Sequence, residues 1–120
     1  MDKQSTILIV DDDPGTLNIM SLILQNAGYT VETDQYGSLS LNENPPDLIL
    51  LDSNLGIMDG ATICREIKSN ERTKNIPVIM ISAMHDIQRI CAEANADNYL
   101  SKPFGINQLL SLIEDTLQKA

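Results

Sequence analysis

The sequence predicts an α/β fold in which helices cover both faces of a parallel β-sheet. Strand-like and helix-like patterns alternate five times along the 120 residues, which is typical of successive β–α units. The run Leu48–Leu51 contains four large aliphatic residues without polar alternation, as expected of a strand buried on both faces. Right-handed crossovers leave few topologies for such a chain. Five units are too few to close an eight-fold barrel, so we expect an open sheet.

The first predicted elements are a strand, a helix and a more exposed strand. Thr6–Val10 is an apolar run that ends in three aspartates. The helix that follows begins at Pro14, with Asp13 as its N-cap, and ends at Gly28, because proline favours the first helical position and glycine the residue after the last. Tyr29–Thr33 alternates and is rich in β-branched residues, which indicates a strand.

The rest of the chain continues the same alternation after one weak segment. Gly37–Pro46 lacks helical periodicity and is rich in Ser, Asn and Pro, so a short or irregular helix is the most that it predicts. The elements predicted after it are a strand over Leu48–Asp52, a helix from Gly60, a strand over Pro77–Ser82, a helix over Ile87–Ala94 with Asn95 as a left-handed C-cap, a strand over Asn98–Ser101 and a closing helix from Ile106.

Composition indicates one globular domain over residues 1–120, since this length can bury a core without disulfides or structural metals. The net charge of −9 argues against direct nucleic-acid binding, because phosphate contacts need clustered Lys and Arg. No stretch is long enough to span a membrane, and the first residues lack the pattern of a signal peptide. We therefore expect a cytoplasmic location and no membrane contact. Cys64 and Cys91 lie on apolar sides of helical patterns and are expected to be buried, reduced thiols.

Polar residues that could carry chemistry follow the predicted strands. Because the carboxyl ends of parallel strands meet at one edge of a sheet, we expect Asp11, Asp12, Asp52, Ser82 and Lys102 to converge. Three carboxylates repel one another, and a hard cation such as Mg²⁺ relieves that repulsion through its preference for oxygen ligands. The Ser82 hydroxyl and the Lys102 ammonium group can each donate a hydrogen bond to a phosphoryl oxygen. The set therefore predicts phosphoryl transfer, with Asp52 as the nucleophile that accepts the phosphate.

Four segments carry these residues in order, at a spacing that resembles the receiver domain of two-component response regulators, the CheY-like superfamily. The resemblance runs from about Thr6 to about Leu117. It implies a flavodoxin-like (βα)5 three-layer sandwich whose five-stranded parallel sheet has the order 2-1-3-4-5. The segments are ILIVDDDP, PDLILLDSNLGIMDG, IPVIMISA and DNYLSKPF.

The resemblance also implies the function. Asp52 would take a phosphoryl group from a phosphohistidine on a sensor histidine kinase or on a histidine phosphotransfer protein. Asp12 would ligate Mg²⁺ (or Mn²⁺) directly, Asp11 would hold it through a water molecule, and Asn54 would contribute its backbone carbonyl.

The switch residues are likewise implied by the resemblance. Ser82 matches a switch hydroxyl, Tyr99 a switch aromatic residue, and Lys102–Pro103 a cis peptide bond that would aim the lysine inward. Phosphorylation would change a surface that a downstream protein or a fused output domain reads, so a turnover enzyme is not expected. The spacing from Gly37 to Pro45 and from Ser82 to Lys102 is shorter than the family pattern, which leaves the shape of that surface open.

Two alternative functions remain. Asp11–Thr16 faintly resembles the opening motif of haloacid-dehalogenase-type phosphatases, but Gly15 stands where that motif has Thr or Val, and Asn107–Gln108 replaces its late acidic pair. A phosphorylation-independent pseudo-receiver is the other alternative, and the intact set of five residues argues against it. The sequence leaves open whether this domain stands alone or belongs to a larger regulator.

Overall fold

A five-stranded parallel sheet forms the middle layer of this computed structural model, which describes residues 4–35, 45–55, 58–83 and 85–119. The sheet order is β2-β1-β3-β6-β7, which is the predicted order 2-1-3-4-5 when these five strands are counted alone. The elements are β1 Thr6–Val10, α1 Pro14–Asn26, β2 Thr30–Asp34, β3 Leu48–Asp52, β4 Asn54–Leu55, β5 Met58–Asp59, α2 Gly60–Ser69, β6 Val78–Ser82, α3 Ile87–Ala94, β7 Asn98–Ser101 and α4 Ile106–Lys119.

Alternate residues of the central strand β3 pack into two separate cores. Leu50 lies in a cluster with Leu24 of α1 and Leu109 of α4. Leu51 lies in the opposite cluster, with Ile63 of α2 and with residues of α3. Because successive side chains of a strand point to opposite faces, the sheet has an α1–α4 face and an α2–α3 face. The predicted α/β class and the parallel sheet with both faces covered are confirmed.

The helix termini follow the local sequence signals. The Asp13 side chain accepts hydrogen bonds from the backbone N–H and the hydroxyl of Thr16, and α1 begins at Pro14. Gly28 follows this helix with a φ of 98°, a left-handed conformation that glycine adopts without a steric penalty. Asn95 ends α3 with a φ of 63°. The predicted N-cap and the predicted left-handed C-cap are therefore confirmed.

Some expectations differ from the structure or fall outside it. The second strand begins and ends one residue later than Tyr29–Thr33. The short antiparallel pair β4–β5 was not predicted, because two-residue strands are too short to show a periodicity. Most of the weak helix expected over Gly37–Pro46 lies outside the described residues.

Cys64 and Cys91 are both buried and both free thiols, as expected. Burial raises the pKa of the Cys64 thiol to about 11, so the reactive thiolate is scarce near neutral pH. In the described part of the chain, no helix has the length and apolar character needed to cross a membrane.

A polar clamp joins three segments at the edge of the sheet where the strands begin. Lys68 near the end of α2 donates through Nζ to the carbonyl of Ile76 at 2.8 Å and to Oδ2 of Asp97 at 2.5 Å. The same Asp97 oxygen accepts the backbone N–H of Val78 at 2.7 Å. The Lys68 side chain is only 12% exposed. The clamp therefore fixes the end of α2 to the start of β6 and to the loop before β7.

Candidate functional site

Three carboxylates meet at the other edge of the sheet, where β1 and β3 end. One side-chain oxygen from each of Asp11, Asp12 and Asp52 lies within 4.8 Å of the other two. Asp11 and Asp52 are buried, whereas Asp12 is exposed. We call these three residues the acidic cluster. Among the described residues it is the one group of three potential metal ligands at this spacing.

The ionised form of Asp11 is destabilised within the acidic cluster. Burial is the main cause of a raised pKa at Asp11, and the charges of Asp12 and Asp13 act in the same direction. A hydrogen bond of 2.9 Å from the backbone N–H of Asp13 to Oδ1 of Asp11 and the positive charge of Lys102 oppose this rise without cancelling it. The ionised form of Asp11 is thus disfavoured, as expected where carboxylates are crowded and partly desolvated.

Lys102 brings a positive charge close to Asp52 in the acidic cluster. Its Nζ atom lies 3.8 Å from Oδ2 of Asp52, and its backbone N–H donates to the carbonyl of Ser82 at 2.8 Å. The Lys102–Pro103 peptide bond is cis. The ammonium group is therefore close to the carboxylate that the sequence predicts to be the nucleophile.

Ser82 and Tyr99 lie on the two strands beyond the acceptor strand. Ser82 is the last residue of β6 and is buried. Tyr99 lies on β7 opposite Met80, and its side chain is 36% exposed. Asn54 follows the acceptor closely as the first residue of β4, where it pairs with Asp59. The edge of the sheet thus brings together the acidic cluster, Ser82 and Lys102, while Tyr99 lies further out.

The acidic cluster fits a hard divalent cation by its chemistry. Carboxylate oxygens are the ligands that Mg²⁺ and Mn²⁺ prefer, and three of them lie close enough to share one ion. A cation would also offset the charges of the neighbouring aspartates, which add to burial in raising the pKa of Asp11. The donor set therefore agrees with the metal that the sequence predicts.

Gly60 has a role in the site that the sequence patterns did not show. A Cβ atom at Gly60 would lie 2.3 Å from the carbonyl oxygen of Asp52 and 2.7 Å from Cα of Ser53. The Gly60 N–H donates to the Ser53 carbonyl at 3.0 Å. The first residue of α2 therefore packs directly on the backbone of Asp52 and Ser53. The Asp-Gly pair indicated only a helix start, because a close approach between elements has no local signal.

The sequence and the fold match known proteins along nearly the whole chain. The sequence model for the response regulator receiver domain matches residues 7–114. The chain is 38% identical to the DNA-binding dual master transcriptional regulator RpaA of Synechocystis over 119 residues, which are 94% of this chain and 49% of that protein. It is 35% identical to the phosphate regulon transcriptional regulatory protein PhoB of Pseudomonas aeruginosa, covering 95% of this chain and 52% of that protein. The chain thus spans about half the length of these curated relatives.

Solved structures show the same fold. A putative response regulator from Chloroflexus aurantiacus superposes with a TM-score of 0.89 at 34% identity, over 97% of this chain and 99% of that one. The receiver domain of a sensor histidine kinase from Pseudomonas aeruginosa superposes with a TM-score of 0.86 at 27% identity, over 97% and 99% of the two chains. That structure has a magnesium ion coordinated in its active-site cleft.

Proposed function

This chain belongs to the response regulator receiver domain family of two-component signalling systems, and from that premise we propose that Asp52 accepts a phosphoryl group from a phosphohistidine. The observation that carries the proposal is the convergence of the acidic cluster with Lys102 at one edge of the sheet. Phosphoryl transfer depends mainly on positioning and on charge neutralisation, and this arrangement supports both.

The proposed transfer uses the side chains in distinct ways. A carboxylate oxygen of Asp52 attacks the phosphorus atom and forms an O–P bond, while the N–P bond of the phosphohistidine breaks. The electron pair of that bond stays with the imidazole nitrogen. The ring leaves as neutral imidazole if its other nitrogen already carries a proton, and otherwise it takes a proton from water. Lys102 and the Ser82 hydroxyl stabilise the phosphoryl oxygens, whose negative charge is spread in the transition state.

We propose that the acidic cluster holds Mg²⁺, or Mn²⁺ in its place, with the backbone carbonyl of Asn54 as a further ligand. The exposed Asp12 is suited to direct ligation, and the buried Asp11 to a contact through water. When bound, the ion would neutralise the carboxylates and contact a phosphoryl oxygen. The magnesium of the Pseudomonas aeruginosa receiver domain supports this choice.

The proposed donor is a sensor histidine kinase or a histidine phosphotransfer protein. Helix α1 begins directly after the acidic residues and exposes Ile19 and Leu22, which are 62% and 61% exposed and lie one turn apart. Apolar residues grouped on a helix surface favour contact with a partner helix. We propose that the donor covers this side of α1 while its phosphohistidine reaches Asp52.

Phosphorylation would then act as a two-state switch. The Ser82 hydroxyl turns to the phosphoryl group, and the exposed Tyr99 moves inward, which changes the surface formed by α3, β7 and α4. A downstream protein or a fused output domain would read this change. The net charge of −9 favours a protein partner over direct contact of this domain with nucleic acid.

The acceptor assignment is tested by incubating the chain with Mg²⁺ and acetyl phosphate and measuring its intact mass. We expect the wild type to gain the mass of one phosphoryl group, and Asp52→Asn to gain none. Asp115→Asn, at an exposed position of α4, is the matched control and should react like the wild type. Excess chelator should abolish the gain in the wild type and in Asp115→Asn.

Phosphate on the Asp52→Asn variant would refute the acceptor assignment, and uptake in chelator would refute the metal site. Turnover of nitrophenyl phosphate separates acceptance from hydrolysis. Steady multiple turnover by the wild type would contradict a receiver function and support a phosphatase.

A further inference from the structure

Ser53, the residue after the acceptor, has a buried hydroxyl that makes no hydrogen bond to any described residue. The whole side chain is only 7% exposed. A buried hydroxyl without a partner keeps the cost of its desolvation uncompensated, so such groups are uncommon and need an explanation. The proposed acceptance of phosphate by Asp52 does not use this hydroxyl.

The backbone of Ser53 is held in place on both sides. Its N–H donates to the carbonyl of Ile81 at 2.9 Å, and its carbonyl accepts the Gly60 N–H at 3.0 Å. The Cα atom also lies where a side chain at Gly60 would collide with it. The hydroxyl can therefore find a new partner by rotation about its own side-chain bond, but hardly by movement of the main chain.

The strand register places Ser53 beside Ser82. Asp52 pairs with Ile81 in the parallel ladder of β3 and β6, so the next position of each strand brings the two serines side by side. Leu51 and Met80 lie on the α2–α3 face, and by alternation the side chain two residues beyond each shares that face. Neighbouring strands lie about 4.8 Å apart, a gap that two serine hydroxyls can bridge.

We infer that Ser53 is a positioning residue for Ser82 in the phosphorylated state. The Ser53 hydroxyl donates a hydrogen bond to the Ser82 oxygen, and the Ser82 hydroxyl donates its own hydrogen to a phosphoryl oxygen on Asp52. A serine hydroxyl can donate one bond while it accepts another, and bonds in such a chain strengthen one another. This inference rests on the proposed function, because it needs a phosphoryl group at Asp52.

We call the two hydrogen bonds, from Ser53 to Ser82 and from Ser82 to the phosphoryl group, the relay. The relay favours the phosphorylated conformation because the Ser53 hydroxyl lacks a partner in the unphosphorylated one. In the unphosphorylated structure the Ser53 hydroxyl makes no hydrogen bond to the described residues. It therefore destabilises the unphosphorylated conformation. When Ser82 turns to the phosphoryl group, the Ser53 hydroxyl gains a partner and the penalty disappears. The difference shifts the equilibrium towards the phosphorylated conformation.

Ser53→Ala tests the relay in two states of the protein. In chelator the variant should melt at the same temperature as the wild type or higher, because an unsatisfied hydroxyl has been removed. With Mg²⁺ and beryllofluoride, a stand-in for the phosphoryl group, its affinity for beryllofluoride should fall roughly fivefold, the loss of one hydrogen bond. This affinity is obtained from the rise in melting temperature with beryllofluoride concentration.

Two further variants separate the relay from a general effect of serine removal. In a Ser82→Ala background, Ser53→Ala should leave the remaining beryllofluoride affinity unchanged, because the partner of Ser53 is gone. Ser101→Ala is the matched control: Ser101 pairs with Ser82 from the other side but is exposed, so water serves its hydroxyl in both states and no change is expected.

An unchanged affinity in Ser53→Ala would overturn the relay, as would an equal loss in both backgrounds. A lower melting temperature of Ser53→Ala in chelator would also overturn it, since the hydroxyl would then stabilise the unphosphorylated state. Failure of the wild type to respond to beryllofluoride and to take up phosphate from acetyl phosphate would instead refute the proposed function, and the relay with it.

Discussion

In the acidic cluster, the negative charge on Asp11 lowers the free energy of unfolding near neutral pH. Asp11 is buried and its pKa lies above the ordinary value of 3.8, first because of burial and then because of neighbouring aspartates. A folded-state pKa that is raised means that the folded chain holds its proton more tightly than the unfolded chain. The free energy of unfolding therefore falls as the pH rises from below 3.8 through the raised pKa. Near neutral pH the full penalty of the ionised carboxylate is present.

Asp11→Asn should raise the melting temperature in chelator at neutral pH, because it removes the buried charge and keeps an oxygen that can accept the Asp13 N–H. The gain should vanish below pH 3.8, where the wild-type carboxyl is protonated in both states. Melting curves from pH 3 to pH 8 check this expectation. Asp115→Asn, at an exposed site, serves as the control and should show no such gain. A lower melting temperature of Asp11→Asn at neutral pH would contradict the unfavourable charge.

Local signals make part of the residue scale predictable. Asp13, Pro14 and Asn95 have roles that depend on their immediate chain neighbours, and the structure confirms them. The orphaned hydroxyl of Ser53 depends on what surrounds it after folding. No pattern around residue 53 carries that information, so the structure was needed to find it.

At the scale of elements, the distance between α2 and β3 depends on one glycine. A Cβ atom at Gly60 would meet the carbonyl oxygen and the main chain of Asp52 and Ser53, and backbone atoms cannot step aside as the end of a flexible side chain can. Any larger residue must displace either the first turn of α2 or the end of β3. The second displacement moves Asp52, the proposed acceptor.

Gly60→Ala should destabilise the fold by about 1–3 kcal/mol, the usual cost of overpacking. It should also slow the uptake of phosphate from acetyl phosphate roughly tenfold or more, because small misplacements of reacting groups are costly. Urea denaturation and time-resolved intact mass measure the two effects. Gly15→Ala is the matched control: it lies in the first turn of α1, where a Cβ makes ordinary contacts of 3.7 Å or more. It should be neutral or stabilising; equal losses in both variants would contradict the close approach.

The elements themselves were largely predictable from periodicity. The runs Thr6–Val10 and Leu48–Asp52 have the same bounds in the structure, because apolar runs ending in polar residues describe buried strands well. Asn98–Ser101 also has the predicted bounds, although only Leu100 of this strand is buried. The β4–β5 pair was missed, since each strand has two residues. The packing of α2 on β3 was missed as well, because the distance between elements is a tertiary property.

At the scale of the whole molecule, chemistry and anchoring lie at opposite edges of the sheet. The acidic cluster lies where β1 and β3 end, and the Lys68 clamp lies where β6 begins. A change at one edge should therefore leave the local geometry of the other intact.

Lys68→Met should lower the free energy of unfolding by about 1–2 kcal/mol, since it removes hydrogen bonds from a charged, mostly buried donor whose partner Asp97 is partly solvated. Phosphate uptake by Asp52 should stay unchanged. Denaturation and intact mass provide the two readouts. Lys74→Met removes an exposed ion pair with Glu71 and should change stability by less than about 0.5 kcal/mol. Similar effects of the two substitutions, or a loss of phosphate uptake in Lys68→Met, would contradict this separation.

The overall fold followed from the sequence because five alternating units allow few arrangements, and the convergence of Asp11, Asp12, Asp52 and Lys102 followed from that fold. The clamp did not follow, because Lys68 and Asp97 are 29 positions apart. Asp97 opens the segment DNYLSKPF, but nothing in that segment points to Lys68. Long-range polar contacts of this kind depend on side-chain reach, which the order of elements does not determine.

Helix α2 is anchored at both of its ends. Its first residue packs on the main chain of Asp52 and Ser53. Near its last turn, Lys68 donates hydrogen bonds to Ile76 and Asp97 at the other end of the strands. Because both ends are anchored, we expect α2 to move little. When Asp52 gains a phosphoryl group, we expect the larger movement at β7, the outer strand beyond β6, where Tyr99 is exposed. The anchoring of α2 would therefore favour β7 over α2 as the part of the surface that changes.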